Sequence, residues 1–168
     1  MKFKIIPVTH YQQNCSIIWC EKTRHAAVVD PGGEVEQLLA EIEALGLTLQ
    51  KIILTHGHMD HVGGTFELAK RANVPIEGPH KDDAFWINML DKQAQMMGFE
   101  PQAGFTPDRW LVGGDVVVVG QSELEILHCP GHTPGHVVLF SRPDKLAWVG
   151  DVLFHGSIGR SDFPRGDH

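Results

Sequence analysis

Lys51-Ile52-Ile53-Leu54-Thr55-His56-Gly57-His58-Met59-Asp60-His61-Val62-Gly63-Gly64 is the stretch on which the reading of this chain turns. Its apolar start reads as a short buried strand, and the two glycines open what reads as a helix. Four metal-capable side chains, His56, His58, Asp60 and His61, therefore fall within six positions on the turn at the carboxyl end of a strand. Layered α/β folds present their chemistry at that place. Imidazole nitrogen and carboxylate oxygen suit zinc, iron or manganese, and no thiolate interrupts the cluster. His56 and His58, two residues apart on extended backbone, can reach one ion. Asp60 and His61 begin the following helical turn and face another direction, which makes room for a second ion.

Two further strand ends carry groups of the same kind. Residues 124–127 lead into His128-Cys129-Pro130-Gly131-His132-Thr133-Pro134-Gly135-His136, and residues 146–149 lead into Gly150-Asp151. Three strands thus end in histidine or aspartate beside glycine or proline, the layout that converges several donors on one rim. The two oxygens of Asp151 allow it to bridge two ions, which together would lower the pKa of a shared water and polarise a carbonyl or phosphoryl oxygen. Taken singly, His10, His25, His80, His128, His136, His155 and His168 read as surface or hydrogen-bonded groups. Asp30, before Gly32 and Gly33, reads either as functional or as a turn that starts a helix. Gly63-Gly64 and Gly113-Gly114 lack the spacing and lysine of a phosphate loop.

Around these motifs the patterning predicts strands over residues 2–8, 16–20 and 26–30, and a helix carrying Val35, Leu38, Leu39, Ile42 and Leu45 that Gly46 closes. A strand over 52–55, a helix over 62–72 and a strand over 74–76 follow. Asp82 and Asp83 mark a helix start before Ala84. Residues 93–104 are weakly patterned, with Met96 and Met97 as gap-filling core or loop. Gly113-Gly114-Asp115 predicts a hairpin turn between strands over 110–112 and 116–119. Strands over 124–128, 137–140 and 146–149 complete a β-rich second half. Helices covering a β core place the chain in the α/β class, with too few βαβ units for a Rossmann fold or a barrel.

With 168 residues, 42% apolar and 21% charged, the chain reads as one globular domain. A formal charge of -7 without a Lys/Arg block argues against binding to nucleic acid or to an anionic membrane. Cys15, Cys20 and Cys129 have no zinc-ribbon or C-x-x-C spacing and read as reduced thiols. The amino terminus has no apolar signal segment, so a soluble cytoplasmic protein is expected. Oligomeric state is not set by the sequence.

Thr55-His-x-His-x-Asp-His61, Pro130-Gly-His-Thr-x-Gly-His136, Gly150-Asp151 and Val29-Asp30-Pro31-Gly32 together resemble the metallo-β-lactamase superfamily over nearly the whole chain. Within it the chain is most similar to the glyoxalase II-like, hydroxyacylglutathione hydrolase-like enzymes, including Gly159-Arg160-Ser161-Asp162. The resemblance implies an αββα sandwich with its metal centre at one edge. It implies His56, His58 and His132 on one ion, Asp60 and His61 on another, and Asp151 between them. The family's last histidine, in a Gly-His-Gly element, has no counterpart before His168, so residues 1–168 are expected to be a domain truncated at its carboxyl end. The implied activity is hydrolysis of a small-molecule thioester such as a 2-hydroxyacyl glutathione, by a metal-bound hydroxide. Two zinc ions are expected in the intact protein, with iron or manganese as substitutes. Asp60 is the catalytic candidate, orienting the nucleophile and accepting its proton. Arg160 either attracts an anionic substrate group or pairs with Asp162. The runner-up is a persulfide dioxygenase with a single iron on His56, His132 and Asp151, and a third reading is a non-catalytic metal-binding module. Net acidity weighs against the superfamily's nucleases, and the lack of a secretory signal against a periplasmic lactamase.

Overall fold

The computed structural model describes residues 1–168 as two sheets and a layer of helices. The first sheet has the order β1 (Lys2–Val8), β2 (Gln13–Trp19), β3 (His25–Val29), β4 (Thr48–Ile53) and β5 (Ile76–Glu77). Its first two pairings are antiparallel and its last two parallel. The parallel pairings require crossovers, which α1 (Val35–Ala44) supplies between β3 and β4, and α2 (Met59–Val62) with α3 (Thr65–Ala72) between β4 and β5. The second sheet is an antiparallel meander of β6 (Val116–Val119), β7 (Ser122–His128), β8 (Val137–Ser141) and β9 (Leu146–Trp148). A small hairpin, β10 (Leu153–Phe154) and β11 (Ser157–Ile158), follows.

Alternation along the central strands explains how two cores form from one sheet. Ala26, Val28 and Ile52 face the helices, where Val35, Leu38 and Ile42 of α1 meet them. Ala27, Val29 and Ile53 face the second sheet and pack against Val117, Leu124, Ile126, Val137 and Leu139. Burial on both faces is why β3 and β4 read as continuous apolar runs rather than as alternating ones. Of the four layers expected, these 168 residues form three: helices, sheet, sheet. The outer face of the second sheet carries exposed Val116, Val118 and Leu127 with no helix over it. No helix is long and apolar enough to cross a membrane.

Several local expectations need correction. The helix predicted over 62–72 is broken into α2 and α3 at Gly63-Gly64, because this corner lies against the Pro31–Gly33 turn. Gly64 N–H donates to Pro31 O at 2.8 Å, and a Cβ on Gly64 would meet that oxygen at 2.8 Å. Residues 93–104 are not all irregular: α4 (Ala84–Asn88) is followed by α5 (Leu90–Met97), with Leu90 and Ala94 in the core and Met96 exposed. Residues 110–112 do not pair with β6. They continue a backbone path alongside Gly78 and Pro79, with Gly78 N–H donating to Arg109 O and Leu111 N–H to Pro79 O. The hairpin partner of β6 is β7, joined through Gly120 and Gln121. The local turn at Gly113–Asp115 exists, yet Leu111 is buried between the two sheets, and that burial outweighs hairpin propensity.

Parallel pairing sends the carboxyl ends of β3, β4 and β5 to one edge, and with them Asp30, the 55–61 turn and the 78–83 loop. Val137 N–H donates to Thr55 O at 2.8 Å, which ties the start of β8 to the same edge. Ile53→Ala, at a fully buried inter-sheet position, is expected to lower unfolding stability by about 2–5 kcal/mol in urea denaturation. Val118→Thr, on the exposed face, is expected to change it by no more than about 0.5 kcal/mol.

Candidate metal centre

Asp30, just past β3 and with φ of 52°, faces back onto the end of β4. Its Oδ1 accepts Thr55 N–H at 2.8 Å, and its Oδ2 accepts both the Thr55 hydroxyl at 2.6 Å and His61 Nδ1 at 2.9 Å. The Thr55 hydrogen is thereby committed to a carboxylate. Its oxygen, 3.0 Å from His56 Nδ1, must accept there, so His56 carries its hydrogen on Nδ1. The same reasoning applies to His132, whose Nδ1 donates to the Arg160 carbonyl at 2.7 Å. The hydrogen-bond network therefore assigns an Nδ1–H to His56, His61 and His132, and leaves each Nε2 to face inward.

These inward nitrogens gather with the remaining candidates. His56 Nε2 is buried with no hydrogen-bond partner. His132 Nε2 lies 3.0 Å from His58 Nδ1, and one donor atom each of His56, His58 and His132 falls within a 4.8 Å group. Asp151, three residues past β9, places Oδ1 3.1 Å from His61 Nε2 and Oδ2 3.4 Å from His132 Nε2. Asp60 Oδ2 is 3.7 Å from His61 Nε2. All six sequence candidates thus lie at one edge, where Asp151 reaches both His61 and His132. Imidazole nitrogens and carboxylate oxygens gathered at these distances are a donor set suited to a divalent cation.

The electrostatics point the same way. Burial, then the neighbouring imidazoles, hold His56 well below its ordinary pKa and bring His58 to about 2. Both are therefore neutral donors. Burial also opposes the charged form of His61, yet its hydrogen bonds to Asp151 and Asp30 and the charges of Asp30 and Asp60 outweigh that and raise its pKa well above the usual value. Burial pushes the Asp60 carboxyl up from its ordinary value, a shift that His61 partly offsets. Three carboxylates around one imidazole make a site that calls for positive charge.

Three residues that the sequence reading passed over organise this edge. His136 is fully buried and stacks on His56 with centroids 4.6 Å apart, while its Nε2 accepts Asp151 N–H at 3.1 Å. Its place in the second histidine element was the available signal. Gly150 packs against the Thr55 hydroxyl and the His136 ring: with φ of 48°, a Cβ there would lie 2.7 Å from that ring. Asp83, read only as a helix start, is buried and accepts Gly57 N–H at 2.8 Å, the Thr133 hydroxyl at 2.8 Å and Gly135 N–H at 2.6 Å. It clasps the two histidine-bearing turns together. Burial raises its pKa, and those three hydrogen bonds pull it part of the way back. Gln93 joins Met59 N–H to the Gly57 and Trp86 carbonyls. A glutamine among Leu90, Ala94 and Met97 at helical spacing was its sequence signal. Asp30, left open between turn and function, does both jobs. Arg160 forms a two-pronged exposed ion pair with Asp162 and lies over the Phe163 ring.

A family model described as the metallo-beta-lactamase superfamily matches residues 8–168. The chain belongs to that superfamily. It is 48% identical to the hydroxyacylglutathione hydrolase GloC of Haemophilus influenzae over 169 aligned residues, covering 100% of this chain and 79% of that protein. Among solved structures it is similar to the B3 metallo-beta-lactamase BLEG-1, with TM-score 0.89 and 31% identity, across 99% of this chain and 80% of that one. It is also similar to TTHA1623 in a di-iron-bound form, with TM-score 0.87 and 32% identity, across 98% and 79% of the two chains. The family's fold binds divalent metals, and in this chain a cavity of about 670 Å³ opens beside Asp60, His61 and Asp151, walled by Tyr11, Trp148 and Phe154.

Asp30→Ala should free His61 to change tautomer. Binding of the metal complement is expected to weaken by roughly 10–100-fold, as read by competition with a chelating dye. Asp83→Ala strands two buried backbone donors, and is expected to cost about 3–5 kcal/mol of stability in denaturant unfolding.

Proposed function

We propose that this chain is the catalytic domain of a metal-dependent thioester hydrolase, acting on a 2-hydroxyacyl thioester such as a 2-hydroxyacyl glutathione. The observation that carries this reading is Asp151, with one oxygen turned to His61 and the other to His132. In this reading His56, His58 and His132 hold one ion, Asp60 and His61 a second, and Asp151 is shared. The all-nitrogen-and-oxygen donor set suits zinc, and iron is the natural substitute. Bound there, divalent ions supply Lewis acidity for activating water and polarising a carbonyl oxygen.

The chain's own groups do the rest. Asp30 and the Arg160 carbonyl hold the imidazoles in the tautomer that turns Nε2 inward. Asp60, with its pKa raised by burial, orients the attacking water and takes up its proton. The cavity beside Asp60 and Asp151 admits the acyl part of the substrate. A thiolate leaves with a pKa near about 8.5, so little help is needed in protonating it, unlike an amine leaving from an amide. The similarity to a protein named hydroxyacylglutathione hydrolase supports this substrate class over a lactam. Soluble cytoplasmic action on a small molecule, without nucleic acid or membrane, is part of the same proposal.

Zinc-reconstituted protein is expected to cleave lactoylglutathione, and His58→Ala to lower kcat/KM by at least about 10²-fold. Unimpaired cleavage by that variant would contradict the two-ion reading. Oxygen uptake on glutathione persulfide, with one iron per chain and no thioester cleavage, would replace the hydrolase by a dioxygenase.

A further inference from the structure

The 78–83 loop has two faces. Asp83 turns inward to the clasp described above, while His80 and Asp82 turn outward and meet His128 at the end of β7. The His80 and His128 rings stack with centroids 4.2 Å apart and planes 21° from parallel. One donor atom from each of His80, Asp82 and His128 lies within 4.8 Å of the others. Read one at a time, His80 and His128 are ordinary surface histidines. Their pairing, made by the return of β7 beside the end of β5, is visible only in the fold.

The hydrogen bonds leave one lone pair free, on His128, and hold the other, on His80, only by a long contact. His128 Nε2 lies 2.9 Å from Pro134 O, and a carbonyl only accepts, so the hydrogen is on Nε2 and the lone pair is on Nδ1. His80 Nδ1 accepts a long hydrogen bond from Asp82 N–H at 3.2 Å and lies 3.3 Å from Asp82 Oδ2. The carboxylate lies on the side of that lone pair, and an ion bound there would displace the Asp82 N–H contact. We propose that His80, Asp82 and His128 form a second, surface site for a single transition-metal ion of the Zn²⁺, Ni²⁺ or Cu²⁺ type, separate from the centre between the sheets.

Two imidazoles and a carboxylate are the donors such ions prefer, and water completes the set. Donors about 2.1 Å from a tetrahedral ion sit roughly 3.4 Å apart, so binding within the 4.8 Å group requires the two rings to turn out of their stack and His80 to release the Asp82 N–H. Asp82 is free to follow, with its side chain 59% exposed. The ion would join the 78–83 loop to the end of β7, on either side of the 129–136 turn that Asp83 secures from within. Occupancy then braces the clasp, and stability rises by mass action.

The test is calorimetric titration of Ni²⁺ into the chain whose main centre has been filled with zinc, with zinc release monitored, together with thermal unfolding. One further equivalent with a dissociation constant on the order of micromolar is expected, without zinc release and with a raised Tm. His80→Asn and His128→Gln are each expected to weaken it by at least about tenfold. His128→Gln keeps an N–H near the Nε2 position that donates to the Pro134 carbonyl, and His80→Asn keeps an acceptor for the Asp82 N–H. Cys129→Ser is expected to leave the extra equivalent intact. No further equivalent, one undiminished in both histidine variants, or one lost with Cys129, would overturn the proposal. Binding is the readout throughout, so the outcome does not depend on whether the main centre cleaves thioesters.

Discussion

The carboxylate of Asp30 takes three hydrogen bonds, two from Thr55 and one from His61, at a point where three secondary-structure ends meet. Those bonds set the direction of both neighbouring imidazoles. With the Thr55 hydrogen fixed on Asp30, His56 has to donate outward through Nδ1 and face inward with Nε2. His61 is held the same way by the same carboxylate. One buried acid thus decides the donor geometry on both sides of the centre, and the Arg160 carbonyl repeats the device for His132.

That arrangement depends in turn on sheet topology. Two β–α–β crossovers bring the carboxyl ends of β3, β4 and β5 to one edge, and a helix-facing and a sheet-facing core lock them there. The second sheet contributes His132 and Asp151 from its own strand ends. Asp83 and His136 then join elements of both sheets: Asp83 through the 57 and 133–135 turns, His136 through the Asp151 backbone. The metal centre is an inter-sheet joint, so loss of packing between the sheets would loosen it as surely as loss of a donor.

Much of this was legible in the chain. Apolar runs of β-branched residues located the central strands, and histidines or aspartates at their ends marked the edge where His56, His58, Asp60, His61, His132 and Asp151 meet. What stayed hidden were groups whose local pattern has a simpler meaning. Asp83 precedes a helix, where an aspartate needs no other explanation, and its partners at Gly57, Thr133 and Gly135 are remote in sequence. His136 sits in a motif, but only its stacking on His56 separates it from a surface histidine. The run 110–112 looked like half of a hairpin because turn chemistry is local, whereas Leu111 is drawn between the sheets by burial. The break between α2 and α3 reflects a close approach to Pro31 that no periodicity encodes.

X-ray absorption on the zinc-loaded protein tests the central claim most directly. If the tautomer-locked imidazoles and Asp151 converge on bound ions, the nearest shell will contain nitrogen and oxygen alone at roughly 2.0–2.2 Å, with imidazole scattering from four histidines across the two ions. A sulfur shell at about 2.3 Å, or an imidazole signal undiminished by replacement of both His56 and His132, would contradict it.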